Sequence, residues 1–450
     1  MARDWSDAGL RAGMSERQAG SMARLFARAE EALDGLDGRS RPAGRFALFV
    51  PGRIEVLGKH TDYAGGRSLL CAVEQGFAVV ASPRSDCVVR IVDAAWNDRA
   101  EFSIDRDLVP RVGHWSNYPM TVGRRIARNF PGASTGADVA LCSDLPPDAG
   151  MSSSSALLVA SFLVLAEPNR LAGRAEYRQA IGTPDDLAGF LGTVENGESF
   201  GLLAGDRGVG TFGGSEDHTA ILCCRPGTLS QYAFCPVRHE RTVELPPGWT
   251  FVVASSGVAA PKTGAARERY NRASRATRRI LEIWRSASRR QDLSLAAAVA
   301  DAPGGAAEVR DAISRAGDTE FGPDLLVARF DQFVAESLRI VPAMGDALGR
   351  GDFAAVGSLV DQSQRWAETG LGNQIPETIG LARIARELGA AAASAFGAGF
   401  GGSVWALVRD GQEEAFSARW AAAYGHAFPA AAGRAVFLAT RPGPPASRVA

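Results

Sequence analysis

The spacing of apolar and polar positions changes character several times along the first half of the chain. Ser15-Glu16-Arg17-Gln18 has the form of a capping box and opens an amphipathic, charge-rich helix running to about Leu33. Arg45 to Val50 reads as a strand that Pro51-Gly52 ends, and short β-branched runs from Ser68 to Ala95, broken by Gly76, Pro83 and Asp86, predict a β-meander. A helix is expected over residues 118–129 and a strand over 137–142. The turn Leu145-Pro146-Pro147-Asp148-Ala149-Gly150 then feeds an apolar helix from Ser152 to Leu165. A helix over residues 184–199, a Gly-rich stretch and a strand over 219–224 complete this half.

Beyond a strand at residues 250–255 the pattern turns mainly helical, with segments near 264–285, 326–338, 353–362 and 377–388. Gly-rich Gly397 to Gly402, a strand at 404–408, a helix near 412–424 and a strand at 434–439 follow. The Pro-rich residues 441–450 read as a disordered tail. A strand-rich first half and a helix-rich second half imply an α+β fold in two lobes, divided between Arg225 and Trp249.

Composition narrows the class. With 450 residues, 46% of them apolar and 22% charged, the chain has the makeup of a globular protein large enough for two or three domains. Lys and Arg total 49 against 50 Asp and Glu, so no bulk charge points to nucleic acid or an anionic membrane. No stretch of about 18 apolar residues occurs and the N-terminus is polar, so neither a signal peptide nor a membrane span is expected. Six scattered cysteines without C-x-x-C spacing suit reduced thiols and a cytoplasmic location. Lys59 and Lys262 are the only lysines, which makes a lysine an unusual choice in this chain.

Two segments could hold phosphate. Ala149-Gly150-Met151-Ser152-Ser153-Ser154-Ser155 sets small residues and four hydroxyls at a helix start, where free N–H groups and the helix dipole favour an anion; plain N-capping by Ser152 is the alternative. Gly397-Ala398-Gly399-Phe400-Gly401-Gly402 matches G-x-G-x-x-G, but a strand follows it instead of a helix. No Walker sequence is present, so a close-approach glycine turn is the better reading.

Taken with Pro51-Gly52-Arg53-Ile54-Glu55-Val56-Leu57-Gly58-Lys59-His60-Thr61-Asp62-Tyr63, these segments resemble, in order and spacing, the GHMP small-molecule kinases and specifically the galactokinase family. The first is similar to the signature P-G-R-V-N-L-I-G-E-H-T-D-Y, the second to L-P-x-G-A-G-L-S-S-S-A with Asp148 for a Gly, and the third to G-A-G-F-G-G-C with Ser403 for Cys. Trp115-Ser116-Asn117-Tyr118 resembles a W-x-x-Y element. The resemblance implies a two-lobed GHMP kinase fold, with a left-handed β-α-β unit in the N-terminal lobe and a ferredoxin-like C-terminal lobe. The corresponding domains are a helical extension at 1–44, lobes at 45–235 and 236–440, and the tail.

It also implies roles. Asp217 matches the catalytic aspartate and Arg53 the arginine that pairs with it and steadies charge on the transferred group. His60, Asp62 and Tyr270 match sugar contacts; Ala149 to Ser155 would cradle ATP, backed by Gly397, Gly399, Gly401 and Gly402. Ser153 with Glu195 would hold Mg2+, Glu198 being a rival carboxylate. ATP, Mg2+ and a small sugar are the expected ligands, and the expected reaction is transfer of the γ-phosphoryl group to C1 of galactose or a related hexose.

Lys59 departs from the signature, standing where the family has a glutamate that reaches the C6 hydroxyl. Either it faces an anionic C6 group, which makes a galacturonate or glucuronate 1-kinase, or it turns away and pairs with a protein carboxylate. A non-catalytic sugar and ATP sensor on the same fold is the third reading.

Overall fold

The computed structural model describes residues 5–36, 44–147, 149–259 and 264–450, without the side chains of 264–266. Asp148 and Lys262 lie outside the described residues. In chain order the first strands are β1 (Phe46–Leu57), β2 (Arg67–Pro83), β3 (Val88–Asp93), β4 (Asp98–Ser103) and β5 (Ala137–Ser143). They are followed by β6 (Thr228–Ala233), β7 (Arg238–Glu244) and β8 (Trp249–Ser255). The last are β9 (Ala392–Phe396), β10 (Ser403–Arg409), β11 (Val436–Thr440) and β12 (Ser447–Arg448). The large sheet has the order β12-β1-β2-β5-β3-β4, with β6 joined to β2 and β7 to β6; the small sheet is β11-β8-β10-β9.

Strand alternation explains the layers. Phe46, Leu48, Val50, Val79 and Leu141 face one core, while the alternate residues Ala47, Phe49, Ala78, Val80, Ala140 and Cys142 pack under the Glu16–Leu36 helix against Met22, Phe26 and Leu33. In the small sheet, Phe251, Val253, Trp405 and Leu407 join the main core, so one apolar interior spans both sheets. Their neighbours Val252, Ala254, Val404 and Ala406 pack on the other face against Leu381, Trp420 and Tyr424. Burial on both faces is why these strands read as continuous apolar runs.

Several expectations are corrected. Pro51-Gly52 does not end β1; the strand passes through them with a register shift between Pro51 and Arg53. A proline is tolerated at such a bulge. Opposite it only glycine fits, because a Cβ on Gly76 would stand 2.4 Å from the Val50 carbonyl oxygen. The expected meander begins as one strand of 17 residues, β2. Residues 219–224, read as a strand, lie mostly in the helix Glu216–Cys223, since a short apolar run does not distinguish strand from buried helix and the acidic first turn favours a helix start. Ser15 and Gln18 direct their side chains to Glu74 (3.2 Å) and Asp144 (2.6 Å). The tail is ordered: Arg448 and Ser447 pair with Leu48 and Phe49 of β1, and Pro442 bridges to Val73. β7 and the C-terminal β12 both belong to the large sheet, so the small sheet is an insertion in sequence between Trp249 and Thr440. Among the described residues no helix is long and apolar enough to cross a membrane.

Candidate active site

β1, the glycine loop after β9, and the starts of two helices converge on one cavity of about 490 Å³. One end is bordered by Ser152, Ser153 and Ser154. The helix Ser153–Ala166 has Ser152 at its N-cap with φ 58°, yet the Ser152 side chain makes no capping hydrogen bond. The capping alternative therefore loses its support, and the first-turn N–H groups remain suited to an anion. Gly150, at φ 71°, packs directly on the second glycine loop: a Cβ on Gly397 would stand 2.9 Å from the Gly150 carbonyl oxygen. Ser403 Oγ donates to the Ala149 carbonyl, fastening the two loops together.

Arg53 and Asp217 occupy the middle. Arg53 Nε donates to Asp217 Oδ1 at 2.7 Å and Nη1 donates to the Gly150 carbonyl at 2.6 Å. The guanidinium thus links the Asp217 carboxylate to the turn that leads into the Ser153–Ala166 helix. Ser155 Oγ lies 2.9 Å from Glu195 Oε2 and 3.2 Å from Asp217 Oδ2. His218, 1% exposed, sets Nε2 3.3 Å from the same Glu195 oxygen. Glu198 instead pairs with Arg278 on the surface. Of the two rival carboxylates, Glu195 is the one that borders the cavity.

The other end carries His60, Asp62 and Tyr270. Gly213 and Gly214 form its wall: a Cβ on Gly213 would stand 2.6 Å from the Tyr270 hydroxyl, and one on Gly214 2.4 Å from Asp62 Oδ2. Two side chains here leave room only for glycine. Both ring nitrogens of His60 have protein partners, the Tyr63 hydroxyl at 2.9 Å and the Ala398 carbonyl at 3.1 Å. Burial, reinforced by nearby Arg329, lowers its pKa to about 3, so it stays neutral. The nitrogen facing the carbonyl is then the one carrying hydrogen.

Lys59 does not face this end. It is 1% exposed and does not line the cavity; Nζ donates to Ser363 Oγ at 2.7 Å, and that hydroxyl donates to Glu336 Oε1 at 2.8 Å. Removing the cation strands buried carboxylates, so Lys59→Met is expected to cost about 3–5 kcal/mol in denaturant unfolding. A loss under about 1 kcal/mol would contradict that placement.

Sequence reasoning missed Glu55 and Glu216, two further buried carboxylates on the cavity. Glu55 shares a strand face with Arg53, which strand periodicity could have flagged. Burial lifts Glu216 well above the usual carboxylate range, with Glu55 adding to it. Burial also lifts Glu55, to about 7, against the opposing pull of Lys59 and Arg53. A carboxyl raised on folding contributes stability below its unfolded pKa that is lost as pH rises through the folded one. The melting temperature of the wild-type chain relative to Glu55→Gln should therefore fall between pH 5 and pH 8; a constant difference would refute this.

Comparison with known proteins agrees with the geometry. Residues 38–83 match the galactokinase galactose-binding signature and residues 344–426 the C-terminal domain of GHMP kinases. The fold is similar to that of Lactococcus lactis galactokinase complexed with galactose, at 21% identity and TM-score 0.75 over 93% of this chain and 98% of that one. It is also similar to Methanococcus jannaschii mevalonate kinase, at 12% identity and TM-score 0.52 over 89% and 99%. A curated galactokinase from Actinobacillus pleuropneumoniae serotype 5b (strain L20) is 28% identical across 82% of this chain and 86% of its own length. Another, from Roseiflexus sp. (strain RS-1), is 30% identical across 83% and 86%. With that extent of identity behind the two matched signatures, the chain belongs to the galactokinase family of GHMP kinases.

Proposed function

We propose that this protein is an ATP-dependent sugar kinase that transfers the γ-phosphoryl group to the C1 hydroxyl of galactose. The observation that carries this reading is the Arg53–Asp217 pair, 2.7 Å apart, between the phosphate loop and the His60, Asp62 and Tyr270 end of one cavity. The curated galactokinases that this chain resembles supply the identity of the sugar.

In this reading the triphosphate lies over the N-terminus of the Ser153–Ala166 helix, and the aromatic stretch of the cavity at Phe77, Trp96, Trp115 and Tyr118 receives the base. Asp62 and Tyr270 orient the sugar, while neutral His60, held by Tyr63 and Ala398, keeps the signature loop in shape. Asp217 accepts the C1 proton as the C1 oxygen bonds to the γ-phosphorus and the bond to the β-phosphate oxygen breaks, releasing ADP. Arg53 holds Asp217 in place and offsets the charge spreading over the transferred group.

The donor set suits Mg2+: a carboxylate, Glu195, with serine hydroxyls from the Ser153 to Ser155 turn beside the phosphate end. Hard oxygen ligands are what that ion takes, and it completes its shell with water and phosphate. Bound there, it would neutralise charge on the β- and γ-oxygens.

A uronate substrate is not favoured. Lys59 is not among the residues that line the cavity, so the cation that suggested a C6 carboxylate does not meet the sugar. The silent sensor is not favoured either, because the Arg53–Asp217 pair and the phosphate loop are both formed. ADP release with galactose, galacturonate, glucuronate and N-acetylgalactosamine tests the assignment. Galactose should give the highest kcat/KM, and a preference for either uronate would overturn it.

A further inference from the structure

Glu55 has no role in the mechanism above, yet it sits on the cavity beside the groups that do. It follows Arg53 by two positions on β1, so both side chains emerge on the same face of the strand. The residue is 3% exposed. Its Oε2 accepts from the Gly397 N–H at 3.2 Å, and Oε1 has no hydrogen-bond partner although it is fully buried. The next residue of the same loop, Ala398, binds His60, so this loop sets Glu55 and His60 side by side at the sugar end. An orphaned buried oxygen costs folding stability. A ligand hydroxyl donating to it would remove that cost.

The structure assigns Glu55, we infer, as a specificity-determining residue whose carboxyl, by a turn of its side chain, presents the partnerless Oε1 to a hydroxyl of the bound sugar other than the reacting one and accepts its hydrogen bond. The assignment rests on the sugar-kinase reading. It makes the preferred substrate a neutral polyol that places a donor at this point. Burial raises this carboxyl to about 7 against the pull of Lys59 and Arg53, so the kinetics are run at pH 8, where it is ionised and accepting.

Glu55→Gln is a near-isosteric probe. If Gly397 keeps its acceptor, the amide must turn its NH2 toward the cavity, replacing the acceptor with a donor. Glu55→Ala removes both. The experiment measures kcat and KM for the wild-type chain and both variants with galactose and its 2-, 3-, 4- and 6-deoxy analogues, folding being checked by thermal melts.

Both variants should lose about tenfold to hundredfold in kcat/KM on galactose, mainly through KM, as expected for a hydrogen bond to a charged group. One deoxy analogue should be a poor substrate for the wild-type chain and no poorer for the variants, because the partner hydroxyl is already missing. Equal losses on all five sugars would make Glu55 a packing residue and overturn the assignment, as would variants unchanged on galactose. A wild-type chain inert toward every sugar would instead overturn the kinase reading, and this assignment with it.

Discussion

Asp217→Asn is expected to lower kcat for galactose by about 10²- to 10⁴-fold, the usual contribution of a positioned general base. The substitution preserves the shape of the side chain, and its Oδ1 can still accept from Arg53 Nε, as the carboxylate does at 2.7 Å. What it removes is a group able to take up the C1 proton. Galactose affinity, which the proposed function assigns to Asp62 and Tyr270, should stay within a few-fold, which calorimetric titration without ATP would check. A kcat within tenfold of wild type would show that the proton leaves by another route.

Arg53→Lys should cost about 10²- to 10³-fold in kcat and also raise KM for ATP. The guanidinium reaches Asp217 with Nε and the Gly150 carbonyl with Nη1, in two directions that its planar fork spans and a single ammonium does not. The lost bond to Gly150 loosens the turn that leads into the Ser153–Ala166 helix, which ties this one residue to both Asp217 and the serine turn. Arg53 is 3% exposed, so water does not replace what the substitution removes. Steady-state kinetics with each substrate varied would separate the two effects. Unchanged kcat with a raised KM alone would reduce Arg53 to a structural tie.

The parts of the site that were legible in the sequence are those written locally. Pro51 to Tyr63, the serine turn and Gly397 to Gly402 are each contiguous in the sequence, so their order along the chain already pointed to the family. Lys59 was not legible. It follows Gly58, whose φ of 111° turns the chain, and its partner Ser363, with Glu336 beyond it, arrives from elements some 300 residues away. No local pattern could choose between cavity and core.

Glu55 was missed for the opposite reason: it stood inside a motif whose named positions drew attention to Arg53, His60 and Asp62. Breaking the strand at Pro51-Gly52 hid the fact that Arg53 and Glu55 belong to one β-strand face. The tail misled because its prolines suggest disorder, whereas here they lead to a short strand closing the edge of β1.

The most direct test of the central claim is 31P NMR of the protein with ATP, Mg2+ and galactose. Phosphoryl transfer predicts stoichiometric loss of the γ-phosphate signal and the appearance of ADP together with galactose 1-phosphate, identified by coupling of phosphorus to the anomeric proton. Phosphate on any other galactose carbon, or ATP left intact while galactose binds, would contradict it.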